Sequence, residues 1–175
     1  IERMDRAEFD LAVEKLVEAK HIYLLGVRSS SFLAGYLNFY FHLIFKNVTL
    51  VQSSAAGEIF DQMLRIGPGD VLVGISFPRY SKIAVNAVHF ARDRGADVIA
   101  VTDSKMSPLY KMASASLLVS SDMISFVDSM AAPVSLLNAL IMAVGQQKSA
   151  ETSETFSELE RVWSRYGVFG YEEDE

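Results

Sequence analysis

The chain has no cysteine in its 175 residues. That absence removes thiolate catalysis, disulfide frameworks and Cys-based zinc sites together. It agrees with a reducing compartment, and a cytoplasmic location is expected. Histidine is scarce, at 3 residues, and no two lie at i, i+4. No metal site is therefore expected. A long unbroken apolar run is also missing. The stretch from Ala131 to Val144 is interrupted by Pro133, Ser135 and Asn138, so neither a membrane span nor a signal peptide is read from it. Basic charge is not in excess: 16 Lys and Arg against 22 Asp and Glu give a net charge of −6. Such a field attracts neither DNA nor an anionic membrane. The Gly-x-Gly-x-x-Gly fingerprint and a P-loop lysine are absent too, and no cofactor is expected.

What remains is an ordinary globular composition, half hydrophobic and 22% charged. The length fits one domain, long enough to bury its own core. Glu172, Glu173, Asp174 and Glu175 form an acidic end that reads as a solvated tail. The chain opens on Ile1, and Ile1 to Asp5 do not read as a native start. A preceding domain is expected, which a longer reading frame would reveal.

Apolar periodicity places the elements. Asp5 opens a helix with Glu8 as its capping-box partner. Ile22 to Leu25, ending in Gly26, reads as a buried strand. Ser29 or Ser30 caps a helix to about Ile44. Val48 to Val51 is a second strand, Gly57 to Arg65 a short helix, and Val71 to Ile75 a third strand. A helix from Ser81 to Arg94 stops at Gly95. Val98 to Val101 is the fourth strand, Ser107 to Ala113 a short helix, and Ser116 to Val119 the fifth strand. A long helix from Asp128 to Gln147 follows. Lys148 to Thr155 looks like a linker, and Glu154 to Tyr166 is a last amphipathic helix. Strands alternating with helices predict an α/β fold: a three-layer α/β/α sandwich around a five-stranded parallel sheet.

In such a fold ligands bind beyond the C-terminal ends of the strands, where the strand order reverses. The residues just after each strand therefore matter most. Gly26-Val27-Arg28-Ser29-Ser30-Ser31 follows the first strand and Ser76-Phe77-Pro78-Arg79-Tyr80-Ser81 the third. Thr102, Asp103 and Ser104 follow the fourth, and Ser120, Ser121 and Asp122 the fifth. Two of these loops join hydroxyls to an arginine at the start of a helix. Free backbone N–H groups and the helix dipole favour an anion there. Serine adds donors, and arginine offers a fork to phosphate oxygens. Any one of these serines could be only a helix cap; two converging Ser/Arg loops point to an anion site.

These loops resemble the sugar isomerase (SIS) domain, a flavodoxin-like fold that binds phosphosugars. Many SIS domains carry Gly-x-Gly-x-Ser after strand one and Ser-x-Ser-Gly-x-Thr/Ser after strand three. Gly26 and Ser30 match the first pattern, with Arg28 in place of its second glycine. Ser76 and Ser81 match the second, with Pro78 and Arg79 in place of its Ser-Gly pair. Those departures resemble the RpiR family of bacterial transcriptional regulators, whose SIS domains often carry Gly-x-Arg-Ser-Ser and Ser-Phe-Pro-Arg-Tyr-Ser at these places. The entry into Ile22-Tyr23-Leu24-Leu25-Gly26 and the string Phe126-Val127-Asp128-Ser129 are similar to that family as well. The resemblance covers roughly residues 5 to 150, leaving 151 to 175 as a C-terminal helix and tail of the same domain.

The resemblance implies a domain that senses a sugar phosphate and helps form a homodimer or higher oligomer. DNA would be bound only through a separate N-terminal helix-turn-helix domain. It implies that Arg28, Ser29, Ser30, Ser76, Arg79 and Ser81 hold the phosphate, with Glu58 and Ser120 as candidates for the sugar hydroxyls. Pro78 removes one hydroxyl and one backbone donor. Arg79 either replaces them as a ligand, fills the pocket or makes a salt bridge.

The alternatives are a sugar-phosphate aldose–ketose isomerase and a SIS module that only dimerises, its site filled by Arg79 and Tyr80. An isomerase needs a base and an acid. His21 precedes the first strand, at the wrong end of the sheet, and His42 and His89 lie inside helices. Arabinose-phosphate isomerases of this fold carry a His before a Gly-Asp pair, where Ala56-Gly57-Glu58 stands in this chain. Glu58 is the best remaining carboxylate, followed by Asp61 and Asp103. No catalytic residue is assigned, and the domain is read as a sensor. The helices from Ser30 to Ile44 and from Asp128 to Gln147 are apolar on most faces, which suggests a second buried face and a dimer.

Overall fold

A computed structural model describes residues 5–52, 56–121, 123–124 and 127–169. The acidic tail 172–175, Asp122 and Phe126 lie outside the described residues. Helix α1 (Arg6–Glu18) leads into strand β1 (Ile22–Gly26), helix α2 (Ser30–Ile44), β2 (Val48–Val51) and α3 (Ala56–Gln62). Then come β3 (Val71–Ile75), α4 (Lys82–Asp93), β4 (Asp97–Thr102) and β5 (Ala115–Leu118). The two-residue strands β6 (Met123–Ile124) and β7 (Val127–Asp128) precede α5 (Ala131–Gln147) and α6 (Ser149–Tyr166).

The five long strands form one parallel sheet in the order β2-β1-β3-β4-β5. Alternation along each strand divides the core in two, since successive side chains leave opposite faces. Ile22 and Leu24 of β1, with Val71, Val73 and Ile75 of β3, pack under α1, α2 and α5. Tyr23 and Leu25, with Leu72, Val98 and Ala100, pack under α3 and α4. Strands covered on both faces read as continuous apolar runs, which is why β1 and β3 stand out in the sequence. Helix α2 therefore leaves β1 toward one face, and α4 leaves β3 toward the other. The adjacent pair β1–β3 is the switch point.

Several local expectations are corrected. Asp5 caps α1 by accepting from the Ala7 N–H at 3.0 Å, but Glu8 does not complete a capping box. Its carboxylate accepts from the Ser116 N–H at 2.6 Å, on the open edge of β5. An edge N–H without a strand partner needs an acceptor, and Glu8 supplies it. The short helix after β4 shrinks to a 3-10 turn at Tyr110–Met112. The long helix begins at Ala131, because Met123–Ile124 and Val127–Asp128 pair antiparallel before it. Pro133 is tolerated in its first turn, where a backbone N–H has no helical partner. Lys148 to Thr155 is no linker: α6 starts at Ser149. Thr152 and Thr155 donate their hydroxyls to the carbonyls of Lys148 and Glu151 four residues back, so polar side chains are satisfied within the helix.

Candidate functional site

Gly26 ends β1 opposite Ile75, which ends β3, so the two following loops emerge side by side. Each then turns directly into a helix. The first turn is tight. A Cβ on Gly26 would stand 2.2 Å from the Ser30 carbonyl oxygen, a distance no side chain tolerates. Glycine is therefore required for α2 to start so close to its strand. Arg28 adopts the left-handed conformation with φ 58°, and its carbonyl accepts from the Ser31 N–H at 3.0 Å and the Ser31 hydroxyl at 2.6 Å. In the second loop Arg79 is left-handed as well, with φ 62°. These two arginines are the only non-glycine residues with positive φ among the described residues. They occupy the two places where a glycine would sit without strain.

Between the loops lies a cleft of about 430 Å³ lined by Arg28, Ser29, Ser30, Ser76, Arg79 and Ser81, with Val27, Phe32, Phe77 and Pro78. All six residues expected at a phosphate are thus brought together. Ser30 and Ser76 are buried, while Phe32 is exposed beside the mouth. Neither Ser29 nor Ser81, at the starts of α2 and α4, makes a side-chain capping bond. Helix capping therefore does not account for them. No Asp or Glu is among the described residues lining the cleft. Two guanidinium groups and two helix N-termini meet at this cleft, a set of donors suited to an anion with several oxygens. A larger groove of about 800 Å³ lies at the other end of the sheet, against Lys20, Asn47 and α6. It mixes Lys46 and Lys148 with Glu151, Glu154 and Glu158, and has no such one-sided chemistry.

Glu58 and Ser120 are not among the residues lining the cleft. Glu58 sits exposed in α3, after the edge strand β2, and Ser120 follows β5, two strands beyond β3. His21 bonds the Thr49 hydroxyl at 2.8 Å, at the N-terminal end of β1 and β2, and its ring packs against Tyr23. His42 bonds the Asn38 carbonyl within α2 at 3.0 Å, and His89 is exposed in the second half of α4. Among the described residues no cluster of His, Asp and Glu is arranged to hold a metal ion.

The SIS domain family model matches residues 15–143. The chain belongs to the SIS-domain family. A helix-turn-helix (HTH)-type transcriptional regulator from Caldanaerobacter subterraneus subsp. tengcongensis is 30% identical over 149 residues, covering 83% of this chain and 52% of that protein. The chain thus spans about half the length of this curated relative. The sugar isomerase domain of an RpiR transcription factor from Sphaerobacter thermophilus superposes with a TM-score of 0.86 at 21% identity, covering 91% of this chain and 89% of that one. The Vibrio vulnificus NanR protein, solved with ManNAc-6P, gives 0.78 at 20% identity, covering 94% and 63%. Among the described residues, no helix is long and apolar enough to cross a membrane.

Tyr80 does not turn into the cleft. Its hydroxyl donates to Asp103 Oδ1 at 2.7 Å, after β4. Burial, and next the hydrogen bond to Asp103, push the Tyr80 phenol above its ordinary pKa. Thr102, fully buried, donates its hydroxyl to the Ser76 carbonyl at 2.7 Å and lies 2.8 Å from the Ser107 hydroxyl. The only sequence signal was position: Thr102 and Asp103 follow a strand, as ligand residues do in this fold.

Proposed function

We propose that this SIS domain is the phosphosugar-sensing and dimerising part of an RpiR-type transcriptional regulator, with its DNA-binding helix-turn-helix domain preceding residue 1. The observation that carries the reading is the cleft at the switch point, where two Ser/Arg loops face one volume of about 430 Å³. Arg28, Ser29, Ser30, Ser76, Arg79 and Ser81 take the phosphate. The sugar extends toward the mouth, past Phe32. The family resemblance of both loop strings, and the regulators among the similar proteins, favour a sensor over an isomerase. The positions of the three histidines and of Glu58, away from the cleft, agree with that choice.

The dimer face is drawn from α2 and α5. Phe32 and Phe39 of α2 and Met142 of α5 are 81, 64 and 73% exposed. The opposite sides of both helices fill the core, through Leu33, Leu37 and Phe41 and through Leu136, Leu140 and Val144. Large apolar side chains on the outside of such helices fit a surface shared with a second copy. Ligand binding would then shift the balance between two arrangements of the dimer, and with it the spacing of the attached DNA-binding domains.

The test is thermal unfolding against a panel of sugar phosphates, repeated with Ser76→Ala. A compound at a hundred times its dissociation constant adds about 2.7 kcal/mol, which raises the midpoint by roughly 5–10 °C at this size. A shift with one or two sugar phosphates, lost in Ser76→Ala, is expected. No shift with any of them overturns the sensing role and leaves a dimerisation module. Turnover of a ketose phosphate that disappears in Glu58→Ala would instead establish an isomerase.

A further inference from the structure

A non-glycine residue held left-handed costs free energy and persists only where its surroundings fix it from both sides. Arg79 is such a residue, and the structure contains the two fixings. On the N-terminal side, Ser76 is tied to β4 twice. Its N–H donates to the Val101 carbonyl at 3.1 Å, and its carbonyl accepts from the Thr102 hydroxyl at 2.7 Å. On the C-terminal side, the neighbouring residue Tyr80 reaches the same segment through its 2.7 Å bond to Asp103. One residue further on, the Ser81 carbonyl accepts from the Val85 N–H and begins α4. The stretch from Phe77 to Arg79, which lines the cleft, is therefore spanned between two anchors on the end of β4.

We infer that the Tyr80–Asp103 hydrogen bond is a latch that positions the Ser76–Ser81 loop, keeping Arg79 left-handed and its guanidinium set for an anion. Tyr80 and Asp103 are positioning residues: they act through the loop and do not touch the anion. This rests on the anion-binding reading of the cleft and deepens it. The Tyr80 ring, which could have filled the site, holds the site open by bonding away from it. The acceptor is a carboxylate, so the bond is of the stronger, charge-assisted kind. The phenol's raised pKa keeps it a donor across the physiological range.

The experiment has two readouts on Tyr80→Phe, Asp103→Ala, Asp103→Asn and the Tyr80→Phe/Asp103→Ala double variant. The first needs no anion: amide hydrogen exchange of the peptide spanning 77–81 in the free protein. Tyr80→Phe and Asp103→Ala should speed exchange there about tenfold, with exchange in 27–31 unchanged. The second is affinity for inorganic phosphate, followed by titration. Each of those two variants should bind about tenfold more weakly, as expected for losing a bond to a charged acceptor. The double variant should be no weaker than either single one, since both remove the same bond. Asp103→Asn keeps an acceptor oxygen but not its charge, and should fall between the parent and Asp103→Ala. Unchanged exchange in 77–81 overturns the latch. So does an additive loss in the double variant, because Tyr80 and Asp103 would then act through separate contacts and not through one shared bond. If exchange responds as expected while the parent protein binds no phosphate, the anion role of the cleft fails and the loop anchor alone survives.

Discussion

The two arginine loops reach the same backbone conformation by different means. Arg28, at φ 58°, is held locally: Gly26 lets the helix start against the strand, and Ser31 returns two hydrogen bonds to the Arg28 carbonyl. Arg79, at φ 62°, is held from a distance, through Thr102 at the end of the next strand and Asp103 just after it. The first loop owes its shape to steric crowding and hydrogen bonds within the six residues from Gly26 to Ser31. The second owes it to tertiary hydrogen bonds that form only once β4 is in place. A site built from one of each has a rigid wall and an adjustable one. Whatever changes the end of β4 changes the Arg79 side and leaves the Arg28 side alone.

The sharpest way to break this contrast is at Gly26. A methyl group there meets backbone, which cannot swing aside. Gly26→Ala should lower stability by about 3 kcal/mol, the upper part of the range for overpacking, read as a fall in the urea midpoint. The neighbouring Gly35 is the control. Nothing stands within 4 Å of a Cβ there, in the middle of α2. Gly35→Ala should raise stability by about 0.5–1 kcal/mol through the lower backbone entropy of the unfolded chain. Equal effects at the two positions would show that the first loop is not set by crowding.

A smaller effect tests the strain in both loops. Arg28→Gly should leave the free protein as stable as the parent or more so, by up to about 1 kcal/mol, and Arg79→Gly should gain less, because the Arg79 side chain makes a contact of its own. Relief of the left-handed conformation is worth about 1–2 kcal/mol, offset in part by glycine's greater unfolded-state entropy. Both variants should bind inorganic phosphate more weakly. A protein that keeps arginine where glycine would be more stable is using the side chain. Weaker binding together with lower stability in either variant would instead make that arginine a structural support.

How much of this was legible beforehand differs between the same two loops. Strand-to-loop order is written in the chain: β1 and β3 are buried on both faces, so Ile22 to Leu25 and Val71 to Ile75 are apolar without interruption. The six cleft residues could be chosen because each directly follows one of those runs. Glu58 and Ser120 also come after strands, but they do not line the cleft, because their strands are not the pair at the switch point. Strand order is a tertiary property that periodicity does not carry. The same limit hid the partner of Tyr80, which lies 23 residues away across a strand pairing. It also hid the bond from Glu8 to Ser116, 108 residues apart, behind a plausible local capping box. The Lys148–Thr155 stretch is ambiguous in sequence for another reason. Its small polar residues are common to linkers and to helices that bond their own carbonyls, and composition does not separate the two.

The smallest effect comes from the opposite end of the sheet, and it checks that the cleft is insulated from it. Asp97, at the start of β4, pairs with Lys15 of α1 at 2.9 Å and accepts from the Ser114 hydroxyl at 2.7 Å. Burial alone would raise its pKa, but the hydrogen bonds from Lys15 and Ser114 and the Lys15 charge outweigh it, and the net shift is downward. A carboxylate with a folded pKa below its unfolded value, about 3.9, favours the fold in its charged form. Its contribution is complete well above pH 4 and disappears as pH falls through the folded value. The Asp97 side chain is 41% exposed, so water screens the pair, and the contribution at neutral pH should stay under about 1 kcal/mol. Asp97→Asn should therefore unfold at a lower urea concentration than the parent at pH 6, with the two curves drawing together as pH falls below the ordinary carboxylate range. Phosphate affinity at pH 7 should not change. β4 carries Asp97 at one end and the anchors of the Arg79 loop at the other, so a change in that affinity would mean that strain along the strand reaches the cleft. The adjustable wall would then respond to both ends of β4 and not to its C-terminal anchors alone.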